Sequence, residues 1–240
     1  MCEICDGITN LATLANLTIC SKVKKLPYLP NLERLDCYNS NIKSIPVLPN
    51  LKILVIQRTN IKQLPYLPNL ERLDCKYSII KELPLLPNLM HLDCCYSKIE
   101  KIPIYTKLLS LYCDCCINIK SIPILPKLEN LACDRTKIKE IPYISTLKNI
   151  FCNGCDIIEL PIFPHLEFID CSNTRITQLQ FIQSCKFIVN GCMWMRPNIK
   201  ITNNVIKIQK RIIHKLKRRM YLIHTHVYTH PDLLHILKLY

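Results

Sequence analysis

Glycine is almost missing from this chain, with three residues in 240. So few cannot assemble a Gly-rich loop around a phosphate, and none stands in a Gly-x-Ser-x-Gly turn that would present a serine nucleophile. Long apolar runs are missing too: no stretch approaches the ~20 residues that cross a bilayer as a helix. The opening MCEICDGITN carries acids where a secretory signal has its basic region. No secretory leader is therefore expected, and the expected location is the cytoplasm. No pair of carboxylates stands outside the periodic pattern described next. A catalytic cleft would interrupt that pattern, so an enzyme is not expected and no cofactor is implied.

What the chain has instead is repetition. LPYLPNLERLDC at 26–37 returns letter for letter at 64–75, and IPVLPNLKILVI stands between the copies. Aligned on the first proline, Pro27, Pro46, Pro65, Pro84, Pro103, Pro123, Pro142 and Pro161 are spaced by 19 residues, with one step of 20. Eight well-formed units run from about 26 to 178, with worn units at 8–25 and 179–197. A period near 20 fixes the architecture before local propensity is consulted. Leu35 and Cys37 alternate with Arg34, Asp36 and Tyr38, the period-two signature of a short strand with an inward and an outward face. Stacked units then bury together what one unit cannot bury alone.

The core L32-E-R-L35-D-C37-Y-N-S40-N-I42 resembles the leucine-rich repeat pattern L-x-x-L-x-L-x-x-(N or C)-x-L, over roughly four fifths of the chain. The Leu-Pro-x-Leu-Pro return is similar to that of short bacterial effector repeats and of giant-virus leucine-rich repeat proteins, which extends the expected location to a host-cell cytosol. Proline has a fixed φ and no amide donor, so the return suits an extended or polyproline-like segment. The expected fold is a repeat solenoid with a parallel β-sheet on the concave face, an extended convex side and a basic C-terminal helix. Its expected divisions are a lead at 1–7, about ten repeats at 8–197 and a tail at 198–240. The extra residue within CDCCINI at 113–119 is expected to form a bulge.

Sixteen cysteines invite zinc or disulfide readings. Yet Cys37, Cys75, Cys94, Cys113, Cys133, Cys152 and Cys171 share one inward position, where a free thiol packs as a small hydrophobe. Cys113-x-x-Cys116 and Cys152-x-x-Cys155 join that row to a second inward row, occupied elsewhere by Ser40, Thr59, Ser78, Ser97, Thr136 and Thr174. Register thus favours packing over metal. Cys2 and Cys5 stand outside it.

The outward positions carry a mixture of acids, bases and aromatics, which suits a protein partner better than a phosphate backbone. Arg34, Asp36, Tyr38, Arg72, Asp74, His91, Asp93 and Tyr112 are the candidate partner-binding residues, against the simpler reading of a solvated sheet face. Much of the formal net charge of +14 lies elsewhere. Lys43, Lys62, Lys81, Lys120 and Lys139 form one row, and residues 197–240 hold nine Lys or Arg against Asp232. In that tail Val205, Ile208, Ile212, Leu216, Met220, Ile223 and Val227 recur at helical spacing. The stripe suits a cap over the last strand. The opposite face, with Lys210, Arg211, Lys215, Lys217, Arg218 and Arg219, suits an acidic protein, nucleic acid or an anionic surface. His226 and His230 have a metal-compatible spacing but no acidic third ligand, and no metal is expected.

Overall fold

The structure is a computed structural model that describes residues 4–5, 13–176 and 185–192. The chain divides into two compact units, Met1–Trp194 and Met195–Tyr240, and all described residues belong to the first. The expected basic helix, its histidines and the candidate tail residues lie outside the described residues.

Ten three-residue strands form one sheet in sequence order: β1 Asn16–Thr18, β2 Arg34–Asp36, β3 Ile53–Val55, β4 Arg72–Asp74, β5 His91–Asp93, β6 Ser110–Tyr112, β7 Asn130–Ala132, β8 Asn149–Phe151, β9 Phe168–Asp170 and β10 Lys186–Ile188. Every neighbouring pair is parallel, and Leu17, Leu35, Leu54, Leu73, Leu92, Leu111, Leu131, Ile150, Ile169 and Phe187 stand side by side along it. Both worn units thus supply a strand. The solenoid is of the leucine-rich repeat type, and no helix among the described residues is long and apolar enough to cross a membrane.

The core is a set of rows. Leu32, Leu35, Cys37, Ile42, Ile45, Leu48 and their equivalents fill it, most of them without any exposed surface. Cysteine packs in its row as a small hydrophobe, and Ile19 and Ile56 take the same position in their units, both buried. Burial pushes the Cys75, Cys113 and Cys152 thiols well above their ordinary range, and a hydrogen bond with Cys116, with burial added, does the same for Cys94, so all four stay protonated and poorly nucleophilic. The second inward row ties units together. Thr59, Thr136 and Thr174 donate to the carbonyls of Ile56, Cys133 and Cys171 in their own units at 2.7 to 2.8 Å. Cys116, Cys155 and Cys192 donate instead to Cys94, Cys133 and Cys171 of the unit before, at 2.9 to 3.1 Å. Among the described residues no cluster of three or more His, Cys, Asp or Glu could hold a metal ion. Cys5 has its sulfur 3.5 Å from that of Cys20.

Each return ends in a turn that leads into the next unit, closed for instance by the Leu51 amide donating to Leu48 and the Leu70 amide to Leu67. Proline at the second turn position pre-sets its φ. Asparagine follows, and it has a duty: Asn50, Asn69 and Asn88 donate from Nδ2 to the carbonyls of Pro30, Pro49 and Pro68, one unit back, at 2.8 to 2.9 Å. The rows on the return side hold one feature the inward and outward patterns do not require. Tyr28, Val47, Tyr66, Leu85, Ile104, Ile124, Tyr143 and Ile162, each following the first proline of its unit, are 54 to 77% exposed.

The extra residue in unit 113–119 does not bulge the sheet. β6 and β7 keep full register, Ser110↔Asn130 through Tyr112↔Ala132. The insertion is taken up in the following turn, where the Ile117 amide donates to Cys115 at 3.1 Å and the Ile117 side chain faces solvent. A strand locked to neighbours on both sides resists an insertion more than a turn does.

Burial of the inner row predicts a labelling pattern. Brief treatment of native protein with iodoacetamide should modify Cys5, Cys20, Cys115 and Cys185, the accessible positions among the described residues, and spare the seven inner-row thiols. All 16 should react after unfolding in denaturant. Inner-row labelling at native rates, or stoichiometric zinc, would contradict this packing.

Candidate functional site

The outward face begins with a backbone problem. At the end of each strand the amides on either side of the flanking residue donate to the next unit: Cys37 to Val55 and Asn39 to Gln57, Cys75 to Asp93 and Tyr77 to Cys95. The flanking amide between them points out of the sheet and needs another acceptor. Where the strand ends in Asp, its carboxylate turns back: Asp36 accepts from Tyr38, Asp74 from Lys76, Asp93 from Cys95 and Asp170 from Ser172, at 3.0 to 3.3 Å. Where it ends in Ala132 or Phe151, the previous unit supplies the acceptor. Asp114 accepts from the Asp134 amide and Asp134 from the Asn153 amide, both at 2.9 Å, and the Ser172 hydroxyl accepts from Asn190 at 3.2 Å.

The candidate acids are accordingly not a solvated rim. Asp36, Asp74 and Asp93 are buried. Lys76 Nζ bridges two of them, 2.8 Å from Asp93 and 3.2 Å from Asp74, and Gln57 donates to Asp74 at 2.6 Å. Burial pushes the Asp74 carboxyl up to about 6, the Asp93 charge adds to the shift, and Lys76 opposes both. The two carboxylates raise the Lys76 ammonium well above its ordinary value despite its own burial. Arg34, Arg72 and His91 are half-buried on their strands, Arg34 with its guanidinium 3.9 Å from Asp36. Burial lowers the His91 pKa, as does the Arg72 charge beside it. Tyr112 is half-buried, and burial pushes its hydroxyl up to about 12. Tyr38 is exposed.

Adjacent strands bring Arg72, Asp74, His91, Asp93 and Tyr112 together on β4 to β6. The trio Arg34, Asp36 and Tyr38 stands apart, because Ile53 and Val55 of β3 intervene. Farther along, Phe151 and Phe168 meet with ring centroids 5.0 Å apart and are buried.

A border row beside this face carries side chains that the outward pattern did not single out. Asn39, Arg58, Tyr77, Tyr96, Cys115, Arg135, Gly154, Asn173 and Gly191 all have φ between 52° and 73°. That region suits glycine and asparagine and costs a bulky residue of order 1 kcal/mol or more. Five consecutive units nevertheless place Arg, Tyr or Cys there. The rings of Tyr77 and Tyr96 stack at 4.9 Å and 15°, and the Arg58 guanidinium lies 5.2 Å over Tyr77. A hydrogen bond with Cys115 pushes the Tyr96 hydroxyl up to about 12. The sequence does hold a signal for this row: two of the chain's three glycines and two asparagines align in it, marking the position as one of positive φ.

No family model matches the chain, and no curated protein does. Solved structures do. YopM from Yersinia enterocolitica is similar with a TM-score of 0.55 at 24% identity, over 71% of this chain and 45% of that one. The functional domain of InlJ from Listeria monocytogenes, described as including a cysteine ladder, gives 0.51 at 18% identity, over 81% of this chain and 57% of that one. A leucine-rich repeat protein of Leptospira interrogans gives 0.50 at 19%, over 65% and 54%. The chain therefore spans about half the length of the structures it matches. Its fold is the leucine-rich repeat fold with repeats of about 19 residues.

The Asp74–Lys76–Asp93 bridge makes stability depend on pH. The folded pKa of Asp74 lies above the ~3.9 of an unfolded aspartate, so its contribution is most favourable below that value and declines as pH rises through about 6. Replacing Lys76 with Met leaves two buried carboxylates without their cation, a loss of about 3–5 kcal/mol near neutrality. Urea unfolding at mildly acidic and at neutral pH should find the loss much smaller in acid, where a carboxyl can protonate. An equal loss at both pH values would contradict the bridge.

Proposed function

We propose that this chain is a non-enzymatic interaction module that binds a protein partner across the outward strand face and its aromatic border. The leucine-rich repeat fold commonly serves such a role, and the observation that carries the reading here is the border row. Tyr77 and Tyr96 are about half exposed and stacked, with Arg58 against them, at backbone positions where such residues are strained. Strain kept over consecutive units at an exposed surface points to use of the side chains. Tyrosine and arginine are also the residue types that dominate interface energies, and a rigid sheet presents them at low entropic cost.

Within this reading Tyr38, Arg58, Tyr77 and Tyr96 are the anchors. Arg34, Arg72, His91 and Tyr112 supply the polar floor. Asp36, Asp74 and Asp93 hold the strand ends and Lys76 in place, so they position the surface more than they meet the partner. The alternative reading, an acidic protein, nucleic acid or anionic surface on Lys210, Arg211, Lys215, Lys217, Arg218 and Arg219, rests on charge in the sequence alone.

The test uses the partner that co-purifies with the full chain and is identified by mass spectrometry. Tyr77→Ala and Tyr96→Ala should each weaken its binding by ~30-fold, the scale of a hot spot, while leaving circular dichroism unchanged. If those variants bind normally and neutralising Lys215, Lys217, Arg218 and Arg219 abolishes a salt-sensitive complex, the strand-face reading is wrong.

A further inference from the structure

The return side carries a ridge that the strand-face reading leaves unused. In each of the eight well-formed units the four residues starting at the first proline, 27–30 through 161–164, are uncharged, in a chain with 32 Lys or Arg and 18 Asp or Glu. The third of each four is buried in the core, the second stands out in solvent, and the prolines border it. A solvated surface has no reason to exclude charge eight times in succession while exposing a large hydrophobic side chain each time. Contiguous apolar surface of this extent marks an interaction site.

We propose that the ridge is a self-association surface, on which a second copy of this chain packs antiparallel about a two-fold axis passing between Leu85 and Ile104. Two observations select a second copy. The first is area: eight exposed apolar residues present on the order of 900 Å² of side-chain surface, close to the ~800 Å² each partner buries in a specific interface. A copy of this chain also carries the same repeat, so side chains that interdigitate beside the two-fold axis meet the same pattern in the units next to it.

The second is charge. Beside the ridge runs an exposed row two residues before the first prolines, and its charged members are Lys25, Glu82, Lys101, Glu140 and Glu159. A two-fold perpendicular to the ridge lays this row against itself in reverse order. Lys25 then faces the partner copy's Glu159, and Glu82 faces its Lys101. Glu140 faces Ser44. Within this row no like charges meet. Rotating about the ridge direction instead would lay the row against the one that follows the second turn and set Lys101 beside Lys107. The sequence thus favours the antiparallel arrangement. The ridge and the strand face are different surfaces, so a dimer leaves the proposed binding face open.

Sedimentation velocity on the full chain over a range of micromolar concentrations tests this. The wild type should be a dimer. Leu85→Lys and Ile104→Lys, both at exposed positions, should each raise the dissociation constant by at least ~30-fold with an unchanged circular dichroism spectrum. Glu82→Lys should weaken the dimer, and the double variant Glu82→Lys/Lys101→Glu should restore it, an outcome that nonspecific stickiness does not produce. A wild type that stays monomeric overturns the inference, and if that monomer floats with phosphatidylcholine vesicles the ridge belongs to a lipid surface. A dimer that ignores Leu85→Lys and the charge swap also overturns it. Tyr77→Ala and Tyr96→Ala should leave the dimer intact, so either reading can fail without the other.

Discussion

A strand of three residues cannot satisfy its own backbone, and in a parallel stack the missing partners come only from the units on either side. Each unit here sends amides forward to the next unit, as from Cys75 to Asp93 and Tyr77 to Cys95, and others backward, as from Glu71 and Arg72 to Lys52. The pairing extends beyond the regular strand into the turn. To let the turn-row amide reach the next unit's carbonyl, the backbone takes a positive φ at that residue, and it does so from Asn39 to Gly191. The same demand sets the side chains around it: Asp at strand ends for the outward amide, Asn after the second proline for the return carbonyl, and Thr or Cys inside for the strand-end carbonyl.

Much of the charge on the outward face follows from this accounting. An Asp whose carboxylate turns back onto an amide is a structural residue that happens to lie on the outward side, and Lys76 is there to balance two such carboxylates. What remains for the proposed recognition role is the set of side chains the ladder does not require in their observed form. The turn row needs only a residue that tolerates positive φ, and glycine or asparagine would serve. Arg58, Tyr77 and Tyr96 exceed that need. On the return side, the residue after the first proline is more than half exposed, yet is a large hydrophobic in each of the eight well-formed units.

The period, the inward rows and the strand positions were legible because each recurs at one offset, and a property repeated eight times is hard to misread. Leu35, Cys37 and Ser40 sit where alternation puts them. The burial of Asp36, Asp74 and Asp93 was not legible, since alternation tells which side of a sheet a residue occupies and not whether its side chain folds back onto the backbone. The extra residue was located within 113–119, where it lies, but the expected bulge does not form, for a related reason: sequence fixes how many residues are added, whereas the hydrogen bonds on both sides of β6 decide how the backbone absorbs them. The turn row was half legible. Gly154 and Asn173 mark it, but a Tyr in the same column reads as an ordinary surface residue until its φ is known.

Native-state hydrogen exchange at single-residue resolution tests the central claim most directly. If the interunit ladder runs through the turns, the amides of Arg58, Tyr77, Tyr96 and Arg135 should be protected to the same degree as the strand amides beside them, and should exchange only when whole units open. Exchange of those amides at the rate of free loops, with protection confined to the three-residue strands, would contradict it.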